Sequence, residues 1–310
     1  MSENIQRVQF STLDGLLLQG ILYPAKTRGP AIVITPGFNC VKEMFVPEVA
    51  TEFQKNGITA LIYDPRNLGE SQGQPRNEVD PAMQISDYSD AITYLRSLSI
   101  VDPDSVCIWG QSFAGTIALC AGAMDKRAKL VIAVCPLLSS NLDLTSSHRP
   151  KVLSRSMADR ESQTAGENPP TYLPVLSATG QNPAGMGLGA DKEEFDYMVN
   201  AKTRGAPNYE NRTTLQSYYK ILMWQPHSIL DKLLDEMPVL MIVPADDMIS
   251  PADEQLRLFD TFISPWKKSH VVTGKGHLNV LSGPEFHALA AMQCDYVRAV
   301  LQDQRSDSQI

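Results

Sequence analysis

Ser112 stands where an apolar run, Val106 to Trp109, meets a segment of helical character, Thr116 to Met124. The junction reads Gly110-Gln111-Ser112-Phe113-Ala114. Strand, sharp turn and helix with small flanking residues are the setting in which a serine hydroxyl is lifted clear of a sheet. Gly110 and Ala114 let the strand and helix backbones approach each other at such a turn. Ala114 stands where the usual pattern has Gly, and the adjacent Gly115 does not restore it. A serine hydroxyl is a weak nucleophile at neutral pH and needs a base within hydrogen-bond reach, itself oriented by a third group. Among five histidines, His277 alone pairs a strand end with a glycine turn, Gly274-Lys275-Gly276-His277-Leu278-Asn279. His148, His227, His270 and His287 read as insertion surface, insertion packing, strand residue and helix surface. Asp246 and Asp247 both follow the strand that ends at Val243, and either could be the third group. The residue after the nucleophile, Phe113, would give its backbone N–H to an oxyanion at a helix N-terminus, where the dipole helps. These residues together support acyl transfer through a serine ester.

The elements that would position them alternate. Ile5 to Phe10 and Leu16 to Tyr23 flank Asp14-Gly15 and read as a hairpin. Ala31 to Thr35, Ile58 to Tyr63, Val106 to Trp109, Leu130 to Val134 and Pro238 to Val243 are short apolar runs of the kind buried in a parallel sheet. Helices are expected from about Lys42 to Asn56, from Pro81 to Leu98, from Ala252 to Phe262 and from about Pro284 to Leu301, with a strand at Ser269 to Val272. This alternation predicts an α/β fold built on a mostly parallel central sheet flanked by helices, with ligands beyond the carboxyl ends of the strands. From about Ser139 to Gln225 no clear strand appears. Pro150 to Arg160, Asp191 to Ala201 and Thr213 to Trp224 look helical, and Glu161 to Ala190 is rich in Gly, Pro, Ser, Thr and Asn. The division expected is a core of residues 1–138 and 227–302, a helical cap inserted at 139–226, and a frayed polar tail at 303–310. Tyr218 and Trp224 are candidates to line an acyl pocket, with packing between cap helices as the alternative.

Composition excludes several classes. The 310 residues carry a formal charge of −8 and a pI near 5.2, which disfavours a nucleic-acid surface. No apolar run reaches the length of a membrane span. The N-terminal residues lack the apolar core of a signal peptide, and the five cysteines have no paired spacing. A cytoplasmic location is therefore expected. No cluster has metal-ligand spacing and no phosphate-binding glycine pattern occurs, so no metal and no cofactor is expected.

The order Ser, Asp, His, each just past a strand, resembles the α/β-hydrolase superfamily over nearly the whole chain outside the cap. Superfamily members have Gly-x-x-Asp where Pro244 begins the present segment, and counting three onward favours Asp247 over Asp246 as the acid. The resemblance implies a second oxyanion donor in the Phe38 N–H of Pro36-Gly37-Phe38, with Gly37 permitting the backbone twist. It also implies a structural role for Asp64-Pro65-Arg66-x-x-Gly69-x-Ser71, with Arg66 or Asp64 tying neighbouring loops together. More narrowly, Thr35 to Met44, Tyr63 to Gly73 and Trp109 to Gly115 look like fungal hydrolases that accompany polyketide synthases, including the polyketide transferase family. That likeness implies release or transfer of an apolar acyl chain from a thioester or ester to water or to an alcohol, an internal alcohol giving a lactone. It further suggests delivery by an acyl carrier, for which Lys126-Arg127-Lys129 or Arg149-Lys151-Arg155 would be the docking patch if either is more than a solvated face. A general small-ester hydrolase of the dienelactone type is the competing enzyme reading, and a non-catalytic binder on the same fold is a third.

Overall fold

Five consecutive β-branched and aliphatic runs, each too short and too apolar for a surface helix, form the middle of one sheet. The computed structural model describes residues 4–137, 149–185, 190, 192–234 and 236–307. His148 and part of the Gly-rich stretch of the insertion lie outside the described residues. The strands in chain order are β1 (Gln6–Ser11), β2 (Leu17–Tyr23), β3 (Gly29–Thr35), β4 (Thr59–Tyr63), β5 (Val101–Gln111), β6 (Ala128–Val134), β7 (Tyr172–Leu173), β8 (Thr213–Thr214), β9 (Val239–Pro244) and β10 (Lys267–Val272). Eight of them make a sheet in the order β1-β2-β4-β3-β5-β6-β9-β10. Pairing is antiparallel for β1 with β2 and β2 with β4, and parallel throughout the rest. This is the α/β-hydrolase arrangement expected from the alternation of elements.

The helices are α1 (Val46–Lys55), α2 (Pro81–Ser97), α3 (Phe113–Met124), α4 (Arg149–Gly166), α5 (Lys192–Val199), α6 (Leu215–Met223), α7 (Pro226–Leu233), α8 (Ala252–Thr261) and α9 (Phe286–Asp307). One apolar layer joins the sheet to α2, α3 and α8, and the other joins it to α1 and α9. The α1 helix begins at Val46 rather than Lys42, because Phe45 adopts a positive φ of 65° and breaks the helical path there. Lys42 is instead buried in an ion cluster. At the other end, α9 continues through Asp307, so residues 303–307 are helical.

The insertion differs from expectation in two ways. The α4 helix runs past Arg160 to Gly166. Tyr172–Leu173 and Thr213–Thr214 then pair antiparallel, giving this region a small ladder of its own. Those strands are too short for any periodicity to show.

The Asp64 motif ties loops together through both residues proposed for it. Asp64 accepts the Lys42 N–H and Nζ at 2.8 Å each and the Glu70 N–H at 2.8 Å. Arg66 reaches Asp87 on α2 through Nε at 3.0 Å and Asp14 in the β1–β2 turn through Nη1 at 2.8 Å. The Arg66 guanidinium holds the Asp14 carboxyl down at about 2, whereas burial lifts Asp87 to about 6. A Cβ at Gly69 would sit 2.3 Å from the Asp64 carboxylate, and Gly69 has a φ of +50°. Glycine is required there on both counts.

Candidate active site

The turn between β5 and α3 holds Ser112 at φ 57°, ψ −126°. A non-glycine residue in this region stores strain of about 1–3 kcal/mol, which the surroundings must hold. They do so with backbone bonds. The Ser112 N–H donates to the Val134 carbonyl at 2.8 Å, and its own carbonyl accepts the Gly115 and Leu137 N–H groups at 2.8 and 3.0 Å. Gly110 is small for the reason its position suggests: a Cβ there would lie 2.0 Å from the Ala114 carbonyl oxygen.

Three side chains from distant elements form a continuous hydrogen-bond chain. His277 Nε2 lies 2.6 Å from Ser112 Oγ, and its Nδ1 lies 2.8 Å from Asp247 Oδ2. With Nδ1–H donated to the carboxylate, the neutral ring carries its lone pair on Nε2, facing the hydroxyl. That tautomer follows from the partners. The Asp247 side chain is fully enclosed, while Asp246 is exposed and its N–H donates to the Lys275 carbonyl at 2.9 Å. The geometry therefore brings Asp247, and not Asp246, to the imidazole. Oδ1 of Asp247 accepts the Ile249 and Ser250 N–H groups at 2.9 and 2.7 Å.

Burial works against the imidazolium form of His277, yet its pKa lies well above the ordinary histidine value. The Cys135 thiol and the Asp247 carboxylate are the neighbours that oppose burial. Burial raises the pKa of Cys135 in turn. It is a neutral thiol near pH 7, and Asp247 is the charge responsible. Cys135, Asp247 and His277 offer metal-capable atoms within 4.8 Å of one another. Both imidazole nitrogens and both Asp247 oxygens already have partners here, and Cys135 Sγ–H faces the His277 carbonyl at 3.5 Å. Such a grouping joins residues far apart in the chain, so linear spacing gives no sign of it.

The loop after β3 closes on the nucleophile. A Cβ at Gly37 would lie 3.1 Å from Ser112 Cβ and 3.6 Å from Oγ. Gly37 lacks a positive φ; glycine serves here by close approach and not by an unusual twist. Phe38 follows it, and Phe113 occupies the first position of α3, where an N–H has no intrahelical partner. The two rings meet edge to face at 5.3 Å.

A chamber opens above Ser112 with about 620 Å³ of space between its walls, open solvent at the mouth included. Phe38, Cys40, Phe45, Leu137, Ile249 and Leu278 line it from the core side, and Val175, Leu176, Asn182 and Met198 from the insertion. Tyr218 and Trp224 are not in that wall. Trp224 packs edge to face on Phe113 at 5.5 Å, and Tyr218 stands 6.3 Å from the Phe38 ring while accepting the Asn182 Nδ2–H at 2.9 Å. They back the residues that flank Ser112 and do not meet the chamber. Among the described residues, the chamber wall holds no charged side chain apart from the His277 ring. Asn182, Met198 and the α5 residue Glu194 went unrecognised in the sequence. Glu194 Oε1 accepts the Leu278 N–H at 3.2 Å, tying the insertion to the residue after His277. Of the two basic patches, Arg127 is already paired with Asp125 and bonded to the Ser89 carbonyl.

Among the described residues, no helix is long and apolar enough to cross a membrane. A thiohydrolase of Eupenicillium brefeldianum is 59% identical over 293 residues, covering 94% of each chain. The polyketide transferase claH of Penicillium crustosum is 41% identical over 307 residues, covering 96% of this chain and 98% of its own. Among solved structures, DcsB in complex with its substrate analogue superposes with a TM-score of 0.91 at 41% identity, covering 96% of this chain and 99% of its own. GrgF of Penicillium sp. sh18 superposes with a TM-score of 0.83 at 36% identity, covering 95% and 98%. The family model described as the alpha/beta hydrolase fold matches residues 30–284, and the chain belongs to that family.

Proposed function

We propose that the protein is a serine acyl-transfer enzyme that takes an apolar, polyketide-type acyl chain from a thioester or ester and passes it to water or an alcohol. The observation that carries this reading is the unbroken chain Asp247–His277–Ser112 opening on an apolar chamber. His277 Nε2 accepts the Ser112 proton as Oγ attacks the acyl carbonyl, forming the tetrahedral adduct. The Phe38 and Phe113 N–H groups receive the oxyanion, each contributing about 3 kcal/mol to the transition state. The adduct collapses as His277 returns its proton to the departing thiol or alcohol, leaving an acyl ester on Ser112. A water or hydroxyl that enters then gives its proton to His277 and attacks that ester, and the reverse collapse restores Ser112. Asp247 holds the tautomer and stabilises the imidazolium formed in both halves. The names borne by relatives, a thiohydrolase and a polyketide transferase, support the two possible acceptors.

The test is intact-mass analysis of the protein incubated with acyl N-acetylcysteamine thioesters of increasing chain length. The expected result is an adduct of the acyl mass on the native protein and none on Ser112→Ala. An unmodified native protein that turns over thioester as fast as Ser112→Ala would refute the proposal.

A further inference from the structure

Asp247 has a second side-chain partner besides the imidazole. Gln255, on the first turns of α8 and fully buried, donates Nε2–H to Asp247 Oδ2 at 3.0 Å and to the Ser250 carbonyl at 2.6 Å. Oδ2 is the same oxygen that receives His277 Nδ1–H. The amide orientation is forced. Turning it over would set the Gln255 carbonyl oxygen against a carboxylate oxygen and a carbonyl, three acceptors with no proton among them. The orientation leaves Gln255 Oε1 buried without a partner among the described residues. An orphaned acceptor of this kind costs about 1–3 kcal/mol. A residue that served only to fill space would do so more cheaply as Leu or Met.

We propose that Gln255 is a positioning residue that fixes Oδ2 of Asp247 on the His277 Nδ1 axis and takes a share of the carboxylate's charge. The inference rests on the acyl-transfer reading, because it assigns Gln255 a part in setting the base. Two donors compete for one oxygen. The hydrogen bond from Gln255 draws electron density from Oδ2 and so weakens its pull on the imidazolium proton. Removing that bond leaves the full carboxylate charge to His277, which favours the protonated ring. The base is then blocked up to a higher pH, so the acid limb of the rate profile moves upward. Among the described residues, the other ionisable groups around the pair are the Cys135 thiol after β6, Glu194 on α5 against the Leu278 N–H, and the exposed Asp246. Lys275 turns away to the Ser282 carbonyl. All of these stay in place when Gln255 alone is changed.

The experiment measures the rate of Ser112 labelling by a fluorophosphonate across pH for the full chain, alongside its urea midpoint. Gln255→Met keeps the length and removes the donor. Its acid limb should rise by about one pH unit and its plateau rate should fall roughly tenfold, with the reagent's half-saturating concentration unchanged. Gln255→Leu, also apolar and of similar volume, removes the same donor, so its acid limb should rise as far. It also decides the question if Gln255→Met fails to fold. A lost contact that was merely structural would lower the urea midpoint and leave the acid limb where it is in the native protein. An unmoved limb in either folded variant overturns the proposal. If the native protein takes no label at Ser112, the acyl-transfer reading itself has failed; a labelled native protein with unmoved variants sinks the role of Gln255 alone.

Discussion

Asp247→Asn preserves the outline of the side chain and reverses the hydrogen-bond chemistry at one oxygen. Oδ1 accepts two backbone N–H groups, from Ile249 and Ser250, while Oδ2 accepts His277 Nδ1 and Gln255 Nε2. An asparagine can serve the backbone pair with its carbonyl oxygen, but its NH2 must then face the other two donors. His277 can meet that NH2 only by giving up its Nδ1 proton, which moves to Nε2. The lone pair aimed at Ser112 from 2.6 Å is thereby lost. The opposite rotamer is no remedy, since it sets the NH2 against the Ile249 and Ser250 N–H groups. A neutral amide also contributes no charge to the imidazolium. Wrong tautomer and lost charge together should lower kcat by about 10⁴-fold, or about 5.5 kcal/mol of barrier. Asp246→Asn is the matched control. That side chain is exposed, so the rate of the variant should stay within about twofold of the native value. The assay compares kcat/KM for a p-nitrophenyl acyl ester in the native protein and both variants, with urea unfolding as the check on folding. A folded Asp247→Asn that keeps more than about a tenth of the activity would refute the reasoning. So would an equal fall in both variants.

Gly37→Ala adds a methyl 3.1 Å from Ser112 Cβ. Relief requires a shift of a few tenths of an ångström at the nucleophile, so the labelling rate of Ser112 should fall roughly tenfold with little change in urea midpoint. The raised pKa of His277 places the acid limb of kcat/KM above about 6.5, the ordinary histidine value; a limb below it in the native protein would contradict the geometry. The same shift has a stability consequence. Its contribution is complete below the unfolded pKa of about 6.5 and is lost as pH rises through the folded value, and urea midpoints of the native protein and His277→Gln should converge on that rise. Arg66→Met strands the enclosed Asp87 carboxylate and should cost about 3–5 kcal/mol in urea unfolding, without changing the labelling rate of the folded protein.

The parts of the site legible in the sequence are those whose chemistry admits few residue types. Ser112, His277 and the pair Asp246–Asp247 each stand just past a strand end, and only a handful of side chains can serve there as nucleophile, base or acid. Choosing between the two aspartates needed either a family pattern or coordinates, because adjacent loop residues differ in burial by a backbone rotation that leaves no periodic trace. Gln255 was within reach. It shares the inward face of α8 with Leu258 and Phe259, and a polar residue on an apolar stripe eight positions after the candidate acid asks for a buried partner. Tyr218 and Trp224 show the opposite limit. A buried aromatic on a helix, as Tyr218 is, or just past its end, as Trp224 is, gives one pattern whether its neighbour is a ligand or the rings of Phe38 and Phe113. The chamber wall is harder still. Val175, Leu176, Met198 and Leu278 need only be apolar and of suitable size to line it, so their identities carry no signature apart from ordinary core. Substrate shape is written in where the insertion folds back over Ser112, and that depends on contacts such as Glu194 with the Leu278 N–H, which join positions no local pattern connects.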